Sequence, residues 1–395
     1  MVNYSHSVSH LDNGLVVYQR SFPGSPLAGV TCKIHLNSQY QNGLPHLIEH
    51  LLVHQIPRPD WIKISGSTTA HFIALQILGE KAAIADFLPN YWKQFQHFQV
   101  TSEQLEREKA VVQQELRHYQ ASLTEKFATQ ARGKMFDAQQ PYHDEVLGNI
   151  QDLATIKTAD ITDFCEKQLT PKQVTFLIAG DCSQNPLDLL KVWSQWPTQA
   201  TVPPTSSSDS PALQTEPVIL GDPQTAQIAH LSLITPLTTQ PLPPAMILAL
   251  SLTFSLLQTG PSALLQQLHQ TVPQLYMAQP LPLYRGSQLY LQILSACAPN
   301  DAPKTIKGLQ QALAQLKTLQ DPQLTAAFRA LTFQQDCLFD GVASSLAAFA
   351  RMDPSQEKIV SLTQVHRKAI LKSWQELTTT LASDQQPYNI LLKYQ

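Results

Sequence analysis

Cysteine is scarce in this chain of 395 residues: five, at 32, 165, 182, 297 and 337, far apart and without a Cys-x-x-Cys pair. That excludes a disulfide framework and a structural thiolate zinc site, and free thiols of this kind fit a reducing cytosol. Long apolar runs are also missing; none approaches the roughly 20 residues of a membrane span. Neither sign of charge dominates, with 27 Lys and Arg against 30 Asp and Glu and a net charge of −3. Partnership with nucleic acid or an anionic membrane is therefore not expected. The first ten residues lack a charged region followed by an apolar core, so no secretory signal is read and a cytoplasmic location is expected. What is present is a hydrophobic fraction of 43%. Spread over this length, it suits a globular protein of two or more domains.

The stretch with the most chemistry is Gly43-Leu-Pro-His46-Leu-Ile-Glu49-His50-Leu-Leu-Val-His54. Read as a helix, it puts His46, Glu49 and His50 on one face at i, i+3 and i+4, with Leu47, Ile48, Leu51 and Leu52 largely on the other. Two imidazoles one turn apart suit a single metal ion, and the carboxylate beside them is placed to take a proton from water. This His-x-x-Glu-His pattern is the inverted zinc-peptidase motif, with glutamate as base and not ligand. Five residues alone also fit a polar helix face with solvated histidines.

Taken in order, residues 7–20 read as a hairpin turning at Asp12-Asn-Gly14, and Val30 to Leu36 as a strand. After the motif helix come Ile62-Lys-Ile64, a turn region at Gly66-Ser-Thr-Thr69, and a strand over Ala70 to Ile77. Helices are expected at 81–98, 102–136 and 158–168, then a buried strand at 173–179. Residues 196–217, including Pro203-Pro-Thr-Ser-Ser-Ser-Asp-Ser-Pro211, are rich in Pro, Ser and Thr and read as a linker. Beyond it the order partly repeats: strands at 226–234 and 288–294, helices at 245–257, 302–319, 322–339, 342–351 and 363–382, and a last strand at 389–393. The expected layout is thus a domain over 1–195, a linker over 196–217 and a related domain over 218–395 that lacks the metal motif.

A catalytic zinc ordinarily has three protein ligands. Within Leu105–Leu116, Glu108 and Glu115 are seven residues apart and share a helix face with Val111 and Val112. A carboxylate turned inward there would need a metal or a partner, although the same spacing also describes a solvated acidic stripe. His54, one turn beyond His50, is a rival third ligand. His71, His118 and His143 cannot be sorted by sequence.

These stretches together resemble the pitrilysin/insulinase family of zinc metallopeptidases, especially the half-length branch that includes mitochondrial processing peptidase. The resemblance rests on Leu11-Asp-Asn-Gly-Leu15, Gly43–His50, Glu106-Arg-Glu-Lys-Ala-Val-Val-Gln-Gln-Glu115, Pro141-Tyr-His-Asp-Glu-Val-Leu-Gly148 and Val174–Asp181, in family order. It implies an α+β protein of two related domains, each a mostly antiparallel sheet with helices on one face. It implies Zn2+ on His46, His50 and Glu115, Glu49 as general base and Glu108 as a supporting carboxylate. By the same likeness Tyr276 stands at a carbonyl-binding position, and His269 where an arginine is expected, with Arg285 nearby. The family's Asn-Ala-x-Thr strand has Thr69-Ala-His-Phe72 in its place, so the substrate-pairing edge is expected over Ala70–Ile77, including Ala70 and His71. The implied activity is hydrolysis of short or unfolded peptides by a dimer, homologous or heterologous. The other outcome is a subunit that binds peptide without cleaving it alone.

Overall fold

The computed structural model describes residues 6–36, 40–54, 56–69, 71–122, 126–128, 131, 133–134, 147–181, 193–197, 217–239, 242–259, 263–285, 288–338, 340–351, 365–381 and 389–394. Most of the Pro141–Gly148 stretch, the Pro/Ser linker, Ala70 and His143 lie outside these residues. By internal packing the chain divides into two units. Unit 1 takes in Met1–His118, Asp144–Ser206 and Asp336–Glu357; unit 2 takes in Tyr119–His143, Ser207–Gln335 and Lys358–Gln395.

Unit 1 is built on a six-stranded sheet in the order β1-β2-β6-β3-β5-β4. Its strands are β1 (His6–His10), β2 (Val16–Ser21), β3 (Leu27–His35), β4 (Lys63–Thr68), β5 (Phe72–Glu80) and β6 (Val174–Gly180). Only β2 and β6 pair in parallel; the other neighbours are antiparallel. The hairpin between β1 and β2 turns at Gly14, with φ of 91°. Buried Asn13 anchors that turn, its Nδ2 donating to the carbonyls of Trp193 at 2.7 Å and Trp196 at 3.2 Å.

One face of the sheet buries Val30, Cys32, Ile34, Ile73, Leu75 and Ile77 against α1 (Leu44–His54) and α2 (Lys81–Gln96). The alternation of β3 sends Thr31 and Lys33 to the opposite face. There α10 (Val342–Arg351) packs, its Leu346 carbonyl accepting from Thr31 Oγ1 at 3.0 Å and its Phe349 ring lying 4.6 Å from Lys33 Nζ. A helix from late in the chain thus covers the second face of the first sheet.

Unit 2 has a five-stranded sheet in the order β7-β11-β8-β10-β9. These are β7 (Val218–Leu220), β8 (Ala229–Thr239), β9 (Leu275–Arg285), β10 (Gln288–Cys297) and β11 (Asn389–Tyr394). Packed with them are α6 (Pro244–Gln258), α7 (Leu264–Thr271), α8 (Ala302–Leu316), α9 (Asp321–Leu338) and α11 (Arg367–Leu381). Phe127, Ala128 and Ala131 cluster with Ile234, Tyr290 and Leu391 of this sheet.

The two sheets repeat one plan. In each a central strand, β3 or β8, is followed by a buried helix, α1 or α6, and then by an antiparallel hairpin whose first strand, β4 or β9, is the sheet's edge. On the other side each central strand pairs antiparallel with β6 or β11, which pairs in parallel with β2 or β7. The architecture is therefore α+β with two sheets of mostly antiparallel strands packed with helices. Pro280 and Pro282 sit in β9 because an outer strand tolerates residues that cannot donate to a ladder. Two further helices of unit 1, α4 (Ile150–Thr155) and α5 (Thr158–Gln168), lead into β6, and α3 (Ser102–Ala121) begins in unit 1.

Candidate metal and peptide site

Gly43, at φ 79°, makes the sharp entry into α1, and its carbonyl takes the first helical bond from the Leu47 amide at 2.9 Å. The helix then buries nearly its whole circumference: Leu47, Ile48, Leu51 and Leu52 are fully inaccessible, and His46, Glu49 and His50 are 6–8% exposed. Three ionisable groups on a buried helix call for partners. The two histidines find them on α3, whose Glu108 is buried and whose Glu115 is half-exposed. Val112 packs into the core between these carboxylates, while Val111 turns out to solvent.

Glu115 Oε2 lies 3.6 Å from His46 Nε2 and 3.3 Å from His50 Nε2. Two donors bound tetrahedrally to zinc at about 2.0–2.1 Å stand about 3.3–3.4 Å apart, so this triplet fits one such ion with little movement. All three donor atoms lie within 4.8 Å of one another. His54 does not join them. Its Nδ1 is 3.0 Å from Glu108 Oε2, whose distance to His50 Nδ1 is 3.8 Å, which makes a second His50–His54–Glu108 group behind the first. Burial, with His50 beside it, lowers the pKa of His46 to about 4, so the imidazole is neutral and its lone pair available to a metal.

Glu49 reaches toward β4. Its Oε2 accepts a hydrogen bond from Thr68 Oγ1 at 3.2 Å and lies 3.8 Å from His46 Nε2. A Cβ at position 66 would collide with Oε1 of Glu49, so only glycine leaves room for this rotamer. Burial raises the Glu49 pKa to about 7; the Thr68 bond opposes this, Glu115 adds to it, and His54 opposes it. Thr68 and Gly66 were not singled out in the sequence, where Gly66-Ser-Thr-Thr69 reads as a turn. The available signal was a second turn-like stretch between two apolar runs, and only the packing of α1 on β4 turns it into a strand.

The expected substrate edge needs correction. β5, which carries Phe72 to Ile77, is paired on both sides, with β3 and with β4, and is not an edge. The outer strand is β4, and it is β4 that touches Glu49. Ala70 lies outside the described residues, and His71, half-buried, stands at the β4–β5 turn. In unit 2, Tyr276 opens β9 with 60% of its surface exposed, and His269 is half-buried near the end of α7. Arg285 ends β9. His118 is exposed on α3. No described helix is long and apolar enough to cross a membrane.

Comparison with known proteins adds the class of the fold. A protease from Helicobacter pylori superposes with a TM-score of 0.78 at 15% identity, over 99% of this chain and 100% of that one. A putative M16-like peptidase from Alicyclobacillus acidocaldarius does so with a TM-score of 0.74 at 14% identity, over 100% and 99%. A peptidase M16 inactive domain from Pseudomonas fluorescens gives 0.78 at 12%, over 98% and 97%. Searches against family profiles and curated proteins found no match. The chain has the fold of the M16-like peptidases, the pitrilysin type, over its full length. That fold serves active and inactive proteins alike, so chemistry must be argued from the site.

Proposed function

We propose that the protein is a zinc-dependent endopeptidase acting on short or unfolded peptides. The observation that carries this is the donor triplet of His46, His50 and Glu115 with Glu49 held beside it by Thr68. When bound there, zinc supplies a Lewis acid that polarises a scissile carbonyl and acidifies water. Glu49 accepts the proton of the attacking water and returns it to the leaving amine, and its burial brings its proton affinity near neutrality, where a general base works best. Glu108 supports the histidine row from behind through His54 and His50. An extended peptide adds to the outer edge of β4, the last of the described strands in its sheet, its main chain bonding to the strand and its reacting bond near Thr68. Tyr276, and His269 in place of an arginine, are assigned to the substrate carbonyl. A cytoplasmic dimer, with itself or with a homologous partner, completes the proposal.

Changing Glu49→Gln tests it. The amide keeps the volume and still accepts from Thr68 but takes no proton, so zinc content should hold while turnover falls about 10²–10⁴-fold. Turnover within a few-fold of wild type would refute the role of Glu49. A second reading, a non-catalytic or partner-dependent subunit, is favoured by His269, which lacks the permanent charge and forked donors of arginine. Peptide binding without cleavage by zinc-loaded wild type, with cleavage restored by a homologous subunit, would select that reading.

A further inference from the structure

The pleat of β4 divides its side chains between two faces. Gly66 and Thr68 face α1 and meet Glu49, with Ile64 buried on the same side. Lys63 and Ser65 face the other way, in register with Leu78 and Gln76 of β5. On that far face, within unit 1, lies a cavity of about 490 Å³. Its lining includes Leu78, Gln76 and Leu346 of α10 together with Arg58, Asp60 and Lys63. Arg58 Nη1 donates to the Val53 carbonyl at 2.6 Å, which fixes one branch of its fork. Among the described residues neither Lys63 nor Asp60 has an ion-pair partner, and the lining holds two cations, Arg58 and Lys63, against one anion. Between Asp60 and Ile62, both cavity residues, stands Trp61 with 69% of its surface exposed, the most exposed large apolar side chain described.

We infer that this cavity, with Trp61, is a remote specificity subsite that takes an acidic side chain of an extended peptide paired to β4. The inference rests on the peptidase reading and adds to it a preference at a remote position of the substrate. A strand added to the edge of β4 sends alternate side chains to each face, and those opposite Lys63 and Ser65 enter the cavity. From Thr68 to Lys63 is five residues, about 17 Å at roughly 3.3 Å each, so the selected side chain lies about four to six residues from the cleaved bond. A glutamate fits the lining, its methylenes over Leu78 and Leu346 and its carboxylate at Lys63 and Arg58. Trp61 offers a broad amphipathic face on which a neighbouring side chain rests.

Binding tests this on the full-length, zinc-loaded Glu49→Gln protein, which holds peptides without turning them over. Two fluorescein-labelled extended peptides are compared, identical except for Glu or Lys at the positions four to six residues from the centre, placed on each side in turn. Fluorescence anisotropy should give the Glu peptide about three- to fivefold tighter binding on one side only. Adding Lys63→Glu, a change at an exposed side chain, should reverse that order, and Trp61→Ala should weaken both peptides alike. Equal affinities of the two peptides in both backgrounds would overturn the subsite. Hydrolysis by wild type of a peptide too short to reach Lys63 judges the peptidase reading separately. Its absence would count against that reading, while the binding comparison would still decide the subsite.

Discussion

α1 and α6 occupy the same place in a repeated plan, between a central strand and the edge hairpin of a sheet. α6 fills that place with Ile247, Leu248, Ala249, Leu250, Leu252, Leu256 and Leu257, all buried, and carries no charged residue. α1 fills it with an equally buried set that includes two histidines and a glutamate. The scaffold therefore has no structural need for ionisable groups at this position. Burying them costs stability unless they are paired, and the Nδ1 atoms of His46 and His50 have no hydrogen-bond partner among the described residues. A local rule broken in one copy and kept in the other marks the copy that has work to do.

The largest effect should follow from making α1 resemble α6. The double change His46→Leu/His50→Leu should abolish zinc binding and peptide hydrolysis altogether. Thermal unfolding of the metal-free protein should stay at or above the wild-type midpoint, since apolar side chains replace buried imidazoles. A large fall in the midpoint would mean that the histidines hold the fold together, and the contrast between the helices would lose its meaning.

A smaller effect is expected where β4 meets α1. Gly66→Ala pushes a methyl group into Glu49 and displaces the base from Thr68, while the metal-binding atoms are left in place. Zinc content should be unchanged and kcat should fall about 10²-fold, as for a misplaced catalytic group. Unchanged kcat would show that Glu49 does not act from this rotamer.

The smallest effect separates the two helices by pH. Burial raises the Glu49 pKa from its ordinary 4.5 to about 7, so the folded state holds a proton that the unfolded chain has released. Stability from this group is complete below about pH 4.5 and is lost as pH rises through about 7. Glu49→Gln removes that loss. In metal-free protein its unfolding midpoint should exceed that of wild type at pH 8, the gap closing toward pH 4.5. His46, with its pKa lowered to about 4, destabilises both proteins equally in acid and cancels. A gap that does not change with pH would place the Glu49 carboxylate in a better-solvated setting.

Much of this arrangement was legible in the sequence. The spacing of His46, Glu49 and His50 places them on one helix face, and the seven-residue step from Glu108 to Glu115 brings both carboxylates to that face from α3. Helix spacing alone leaves Glu115 and His54 both open as third donor, and the family resemblance points to Glu115; the crossing of α3 over α1 is what brings Glu115 to both imidazoles. Less legible was β4, whose Gly66-Ser-Thr run has turn chemistry and is a strand because β5 and α1 hold it. β9 was hidden by its two prolines, which an edge position tolerates. The packing of α10 on the sheet of unit 1 links Thr31 to Leu346, 315 positions apart, and periodicity carries no record of such contacts.

The most direct test of the account is the zinc content of purified wild type beside Glu115→Ala, measured by elemental analysis after dialysis. A three-donor site in one of two copies predicts about one zinc per chain in wild type. It predicts little or none in Glu115→Ala, with the fold intact by circular dichroism. Two zinc ions per chain, or full zinc retention without Glu115, would contradict it.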